Sequence, residues 1–387
     1  MQAKIFQDVD PLTREQALLL KMVFLPEANR IALWEGWRAA AEADALDMDM
    51  YTILPMLYSA LAAHSIEHEF MKKLKGVWRR AWYKNQRIIH QLNTLAGSFS
   101  RAGIAMIFPR DPALACHYYK DVFRPIHDID ILVRRSDIDR AGSLIVTLGW
   151  QPKPETISPR PDRGCQKFVD ETNQTLTLRH SLAERYFNKN VEDGFWSSNI
   201  EIDIGGAKAF ALNPSDQIFY LFAYELENSR RPYLISIGDV FTILNNFKEE
   251  IDWGRVALNA ERALCARPLR KSIAILKDEL MAKMPDPALP AIQDRSCLFE
   301  RLESALSGRR VPLLRNLILT YGQYLRSGDN AGFIFRPADY LQYMQRALAL
   351  KSMWQLPSYL LRTGLSNIWM YDIKPVFANF RKKSSPE

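Results

Sequence analysis

Two pairs of carboxylates stand out by type and spacing. Asp128 and Asp130 lie two residues apart in Asp128-Ile129-Asp130-Ile131-Leu132-Val133, an otherwise apolar segment. On a β-strand such residues point to one face, about 7 Å apart. Two anions flanked by Ile and Val need something positive between them. Mg²⁺ suits that role, because it takes hard oxygen ligands and binds through one or two carboxylates plus substrate phosphates. Mn²⁺ accepts the same donors. The pattern repeats in Ile200-Glu201-Ile202-Asp203-Ile204. Asp128, Asp130, Glu201 and Asp203 are therefore the candidate metal-binding and catalytic residues, expected to converge from two strands on one cluster. The plainer reading of either pair alone is a sheet edge facing water.

The surrounding periodicities indicate what would position them. Residues 1–95 read as helical, most clearly Lys72–Leu95. There Leu74, Val77, Trp78, Ala81, Trp82, Ile88, Ile89, Leu92 and Leu95 fall on one side, with Lys72, Lys73, Lys75, Arg79, Arg80, Lys84 and Arg87 opposite. Gly103–Phe108, Asp128–Val133, Thr175–Arg179 and Ile200–Ile204 read as strands. Ser136 is the expected N-cap of a helix over 137–148, with Gly149 as its stop. Four prolines in 151–164 mark a loop, and helical periodicity returns at Pro214. The expected class is α+β: a core over 96–210 with a small mixed sheet, between helical regions 1–95 and 211–387. Pro285, Pro287 and Pro290 suggest a break near 285–295, and the last residues read as a basic tail.

The segment Tyr118–Val133, Y-Y-K-D-V-F-R-P-I-H-D-I-D-I-L-V, resembles the DNA polymerase β-like nucleotidyltransferase superfamily. More narrowly it is similar to an uncharacterised bacterial nucleotidyltransferase family with Arg-Pro, a short spacer and D-I-D-hydrophobic-L-V. Gly103–Ala115, Ile200–Gly206, Ile237–Leu244 and Ile251–Val256 follow in the family's order. The resemblance implies a polymerase-β-like core with Asp128 and Asp130 as paired metal ligands. Asp203 is the third carboxylate, or Glu201 if the alignment shifts by two. It implies transfer of a nucleoside monophosphate from ATP or another nucleoside triphosphate to an acceptor, with pyrophosphate leaving. Arg124, Arg110 and Lys120 are the candidate nucleotide-binding cations. The sequence departs from the family at Arg110-Asp111, where Lys-Gly is usual, and at Gly205-Gly206, where His-Trp is usual. The acceptor stays open among small molecule, sugar, peptide, protein and RNA. The alternative function is an inactive relative that keeps the fold and binds nucleic acid or another partner.

Other constellations weigh less. His64-Ser65-Ile66-Glu67-His68 fits H-x-x-E-H, but the 137–148 helix carries no Glu as a third zinc ligand. On the basic 72–87 stretch the aromatics are expected to pack inward, leaving an ordinary solvated face rather than a nucleic-acid footprint. His127 is expected to pack away from Asp128. No glycine-rich phosphate loop and no Ser/His/Asp set occurs. The chain has 387 residues, 48% hydrophobic, with a net charge of +7, which favours polyanionic partners. Four scattered cysteines and no apolar leader point to a reducing cytoplasm, and no segment is long and apolar enough to span a bilayer.

Overall fold

The computed structural model describes residues 11–282 except 26–28, 41–45, 65, 121, 154–164, 183–188 and 229–232, and scattered residues from 290 to 358. The prolines at 154, 159, 161, 285 and 287, and the basic tail, lie outside the described residues.

Four helices come first: α1 (Arg14–Phe24), α2 (Arg30–Ala40), α3 (Met48–Leu61) and α4 (Glu69–Arg101). A capping box starts α1, with Thr13 and Gln16 each satisfying the other's backbone N–H. Asp47 caps α3, the charge-poor segment, which buries Met50, Ile53, Leu54 and Leu57. The apolar stripe predicted for 72–95 runs along α4, with Leu74 buried and Trp78 lying against Tyr58 and Phe123. At its margins Val77 is 37% exposed and Trp82 46% exposed.

Seven strands follow: β1 (Met106–Phe108), β2 (Ile129–Val133), β3 (Gln151–Pro152), β4 (Cys165–Val169), β5 (Thr175–Arg179), β6 (Ile200–Ile204) and β7 (Ala207–Ala211). They form one mixed sheet in the order β3-β4-β5-β2-β1-β7-β6, larger than the small sheet expected. The strands missing from the sequence pattern are β3, which falls in the stretch read as a loop, β4, with Gln166 and Lys167 both exposed, and the alanine-rich β7. None carries the run of β-branched residues that marks a strand. Between β1 and β2 a short helical turn, α5 (Asp111–Ala113), runs on to Tyr118. After β2 the chain makes a 3₁₀ turn at Arg135–Asp137 and then α6 (Ile138–Thr147). Ser136 thus lies inside the turn and is not the cap. Gly149 does stop the helix, at φ +91°.

One sheet face, through Ile129, Ile131, Val133, Leu176, Leu178, Ile202 and Ile204, packs on α4 and α6. The other meets a helical layer comprising α7 (Lys189–Ser197), α8 (Pro214–Asn228), α9 (Leu234–Asn246), α10 (Trp253–Arg262) and α11 (Ala266–Leu280). The first three helices join that same apolar cluster, so both helical flanks share one core. Asp216, fully buried, ties α8 to α10 through Arg255 Nε (2.7 Å) and Asn259 Nδ2 (2.8 Å).

The close approach of α1 to α9 depends on Gly238. A Cβ there would sit 1.9 Å from Cζ of Phe24, a buried ring with little room to move. Gly238→Ala is expected to destabilise the protein by about 1–3 kcal/mol through overpacking, less up to ~1 kcal/mol regained in helix propensity. Urea unfolding of the variant, alone and with Phe24→Leu, measures the effect; the smaller ring partner should restore part of it.

Candidate active site

Asp128 ends a tightly held loop. Asn85 of α4 donates from Nδ2 to Arg124 O (2.7 Å) and accepts from Ile126 N (2.8 Å). Lys84 Nζ (2.9 Å) and Gln174 Nε2 (3.1 Å) both donate to His127 O. Asp111 Oδ2 accepts from the backbone N–H of His127 (2.8 Å) and of Asp128 (3.4 Å). The loop is therefore fixed from α4, from the turn before β5 and from α5.

Arg124 closes the arrangement from beneath. It is 3% exposed, and its Nε and Nη2 fork onto the Asp239 carboxylate of α9 at 2.8 Å each. Nη2 also reaches Asp111 Oδ1 (2.9 Å), and Nη1 donates to Pro125 O (2.9 Å). Burial disfavours its charge, but Asp111 and Asp239 outweigh burial and hold its pKa above the ordinary arginine value. Burial likewise opposes the Asp111 anion, and Arg124 with His127 overcomes it, so that carboxyl lies well below the usual range. Arg124 is thus an internal clamp and not the phosphate ligand that its place before the aspartates suggests. Its partner Asp239 lies 115 residues away in sequence, inside the Ile237–Leu244 stretch, and nothing in that stretch pairs it with Arg124.

Asp130 is 4% exposed and receives Arg179 Nε at 3.0 Å. In the parallel ladder Asp130 pairs with Thr177, and Leu132 with Arg179. Strand alternation therefore puts Asp128, Asp130, Thr177 and Arg179 on one face. Asp128 is exposed. Burial, then Asp111 and Asp130, push its carboxyl above the ordinary value, with Arg110 and Lys84 offsetting only part. The Arg110 guanidinium lies 4.7 Å from the centre of the Tyr224 ring, on α8. Tyr220 of the same helix is buried, and its hydroxyl is held well above the usual phenol range by burial, with Tyr224 and Asp130 adding. Sheet face, α5 turn and α8 thus enclose two carboxylates with Arg110 and Arg179. Arg179 gave no sequence signal beyond ending a strand.

The second acidic pair does not join them. Glu201 and Asp203 share the sheet face of Asp128, since Ile202 and Ile204 point into the α4 layer. However, β6 is the edge strand, separated from β2 by β1 and β7, or roughly 14 Å of sheet. Both residues are exposed. Glu201 pairs with Lys208 at 2.7 Å, and Asp203 Oδ1 accepts from Gly206 N (3.0 Å). Gly205 and Gly206 have φ of +60° and +92°, so the Gly-Gly that departs from the family pattern is the hairpin turn joining β6 to β7. Among the described residues no group of three or more His, Cys, Asp and Glu is placed to hold a metal ion. Two strands of identical pattern had suggested a convergence that strand order prevents.

Lys120 also lies apart, in left-handed backbone (φ +50°) with its ammonium 5.1 Å from the centre of the Phe247 ring. His127 Nδ1 is 3.5 Å from Asp111 Oδ2, beside the site rather than packed away from it. His64 closes a 3₁₀ turn, and His68 caps α4, its Nδ1 accepting from Phe70 N (3.1 Å). The two histidines therefore do not share the helix face that a zinc site requires. No helix among the described residues is long and apolar enough to cross a membrane.

The fold and this cluster define a mixed α/β protein whose sheet face presents an aspartate pair among arginines. A model described as uncharacterised nucleotidyltransferase matches residues 48–280, well over half of the chain, and the chain belongs to that family. No curated protein matches it. Among solved structures, the chain is similar to an antigenic nucleotidyltransferase-like protein from Paracoccidioides brasiliensis, with 14% identity and a TM-score of 0.33. That match covers 52% of this chain and 95% of the other.

Proposed function

We propose that the protein is a Mg²⁺-dependent nucleotidyltransferase that moves a nucleoside monophosphate from a nucleoside triphosphate to an acceptor nucleophile, releasing pyrophosphate. The observation that carries this is the crowding of negative charge at Asp128. Desolvation, then Asp111 and Asp130, raise its carboxyl above the ordinary value, and Arg179, bound to Asp130, lies on the same face. Such a pair fits a divalent cation bound by two carboxylate oxygens and completed by substrate phosphates. Thr177 and Arg179 stand where an adjacent third acid would be, so the fit is to Asp128 and Asp130 alone.

When bound, Mg²⁺ or Mn²⁺ supplies Lewis-acid polarisation of the phosphoryl oxygens and neutralises developing charge. The chain's own residues do the rest. Asp128 and Asp130 hold the cation, with the backbone of residues 127 and 128 fixed by Asp111. Arg110 and Arg179 face the triphosphate, and Arg179 is oriented by its bond to Asp130. Tyr220 and Tyr224 wall the site from α8. We place the reaction in the cytoplasm, in keeping with four cysteines scattered along the sequence without a paired motif.

The test is incubation with α-labelled and, separately, γ-labelled ATP, GTP, CTP and UTP, Mg²⁺ and a host extract. Label should reach an acceptor from the α position and be released as pyrophosphate from the γ position. Transfer from the γ position, or none from any nucleotide, would overturn the proposal.

Cation binding should also show the charge crowding. A ligand carboxylate must be deprotonated, and Asp128 lies above the ordinary 3.8. Mn²⁺ affinity, followed by electron paramagnetic resonance, is therefore expected to fall with decreasing pH through a midpoint above that value. A midpoint at or below 3.8 would contradict the assignment.

A further inference from the structure

The first half of α4 carries a surface that the transfer site does not use. From Phe70 to Arg110 the chain contains no Asp or Glu. Lys72, Lys75, Arg79 and Arg80 are exposed on one side of the helix, with Tyr83 among them at 70% exposure and Trp82 on the flank at 46%. At 100° per residue, Lys72, Arg79 and Tyr83 lie within about 40° of one another, at the centre of the exposed arc. From Lys72 to Arg87 the strip is roughly 22 Å long. Its inner edge meets the active site, since Lys84 donates to His127 O and lies in the field of Asp128 and Asp111.

We propose that this strip docks a single-stranded RNA and delivers its 3′-hydroxyl to Asp128 as the acceptor. This deepens the transferase reading and rests on it. Phosphates would follow the lysines and arginines while unpaired bases stack on Tyr83 and Trp82, a combination that suits single strands. A convex helix face with projecting rings stacks only bases that are already unpaired, which RNA ends supply and duplex DNA does not. A membrane-lying helix keeps an apolar face for lipid, whereas in this half of α4 Leu74 is buried and Trp78 is taken up by Tyr58 of α3 and by Phe123, leaving no continuous apolar stripe for lipid among the described residues. In the reaction, a bond forms between the RNA O3′ and the α-phosphorus as the bond from that phosphorus to the β-phosphate oxygen breaks. Pyrophosphate leaves with the electron pair, and the hydroxyl proton passes to water.

The experiment measures fluorescence anisotropy of a labelled, unstructured 12-nucleotide RNA with the full-length protein, without nucleotide, between 50 and 300 mM salt. The expected log–log salt slope is roughly −3, for about four phosphate contacts. Arg79→Glu/Arg80→Glu should weaken binding at least tenfold and flatten the slope, while Tyr83→Ala should weaken it about tenfold at unchanged slope. Asp128→Asn should bind RNA as the wild type does. Equal binding by the charge-reversed variant, or binding to anionic phosphatidylglycerol vesicles with none to RNA, would overturn the docking proposal. RNA binding through the strip with no nucleotide transfer to any acceptor would instead sink the transferase reading. Label transferred to a small molecule by a protein that ignores RNA would sink only the docking.

Discussion

Arg124→Met is expected to destabilise the protein by about 3–5 kcal/mol, the cost of breaking a buried ion pair from one side. The methionine fills the space but leaves Asp111 and Asp239 as buried anions without their guanidinium. The pH dependence has a defined sign. Asp111 is depressed in the folded protein, so its stabilisation is present above its unfolded value and is lost as pH falls through the folded one. The variant's deficit should therefore be full at neutral pH and shrink in acid. Urea unfolding at pH 7 and near pH 2, roughly two units below the ordinary carboxylate value, measures both. In the double variant Arg124→Met/Asp239→Asn the losses should be strongly non-additive, because one group's removal relieves the other. A surviving, unshifted unfolding midpoint in Arg124→Met would return this arginine to the role of substrate ligand.

Asp128→Asn separates function from stability in the opposite way. The carboxylate is disfavoured by desolvation and then by Asp111 and Asp130, so neutralising it removes both costs and is expected to leave the unfolding midpoint unchanged or slightly higher. Transfer should fall about a thousandfold, corresponding to several kcal/mol of lost cation-mediated stabilisation. Single-turnover transfer from α-labelled nucleotide, beside urea unfolding of the same sample, checks the pair of outcomes. Undiminished transfer would remove Asp128 from the proposed machinery.

What the chain displayed in its letters was local. Thr175–Arg179 and Ile200–Ile204 are strands with the bounds their alternation suggests, and α8 begins at Pro214. The common face of Asp128 and Asp130 follows from the two-residue period. What depended on distant partners was hidden. Glu201-Ile202-Asp203 carries the same pattern as Asp128-Ile129-Asp130, yet strand order sends one to the edge and the other to the centre, and no spacing encodes that order. Arg124 reads as a cation waiting for phosphate until Asp239 arrives from α9. Trp82 reads as core because the helical wheel records only which residues share a side, while coverage depends on what is packed alongside. The departure of Asp111 from the family's glycine becomes intelligible in the same way, since its side chain carries the backbone of residues 127 and 128.

The merging of both helical flanks into one core has a consequence for the birth of the molecule. Asp49, near the start of α3, accepts the backbone N–H of Leu234 at the head of α9, 185 residues later. At about 5–20 residues per second of synthesis, the first helices wait roughly 10–40 seconds for the partners that cover them. During that interval Leu54, Leu57 and Trp34, wholly enclosed in the finished protein, have no native neighbours from the far flank. A ribosome stalled before α9 would leave these apolar side chains bare.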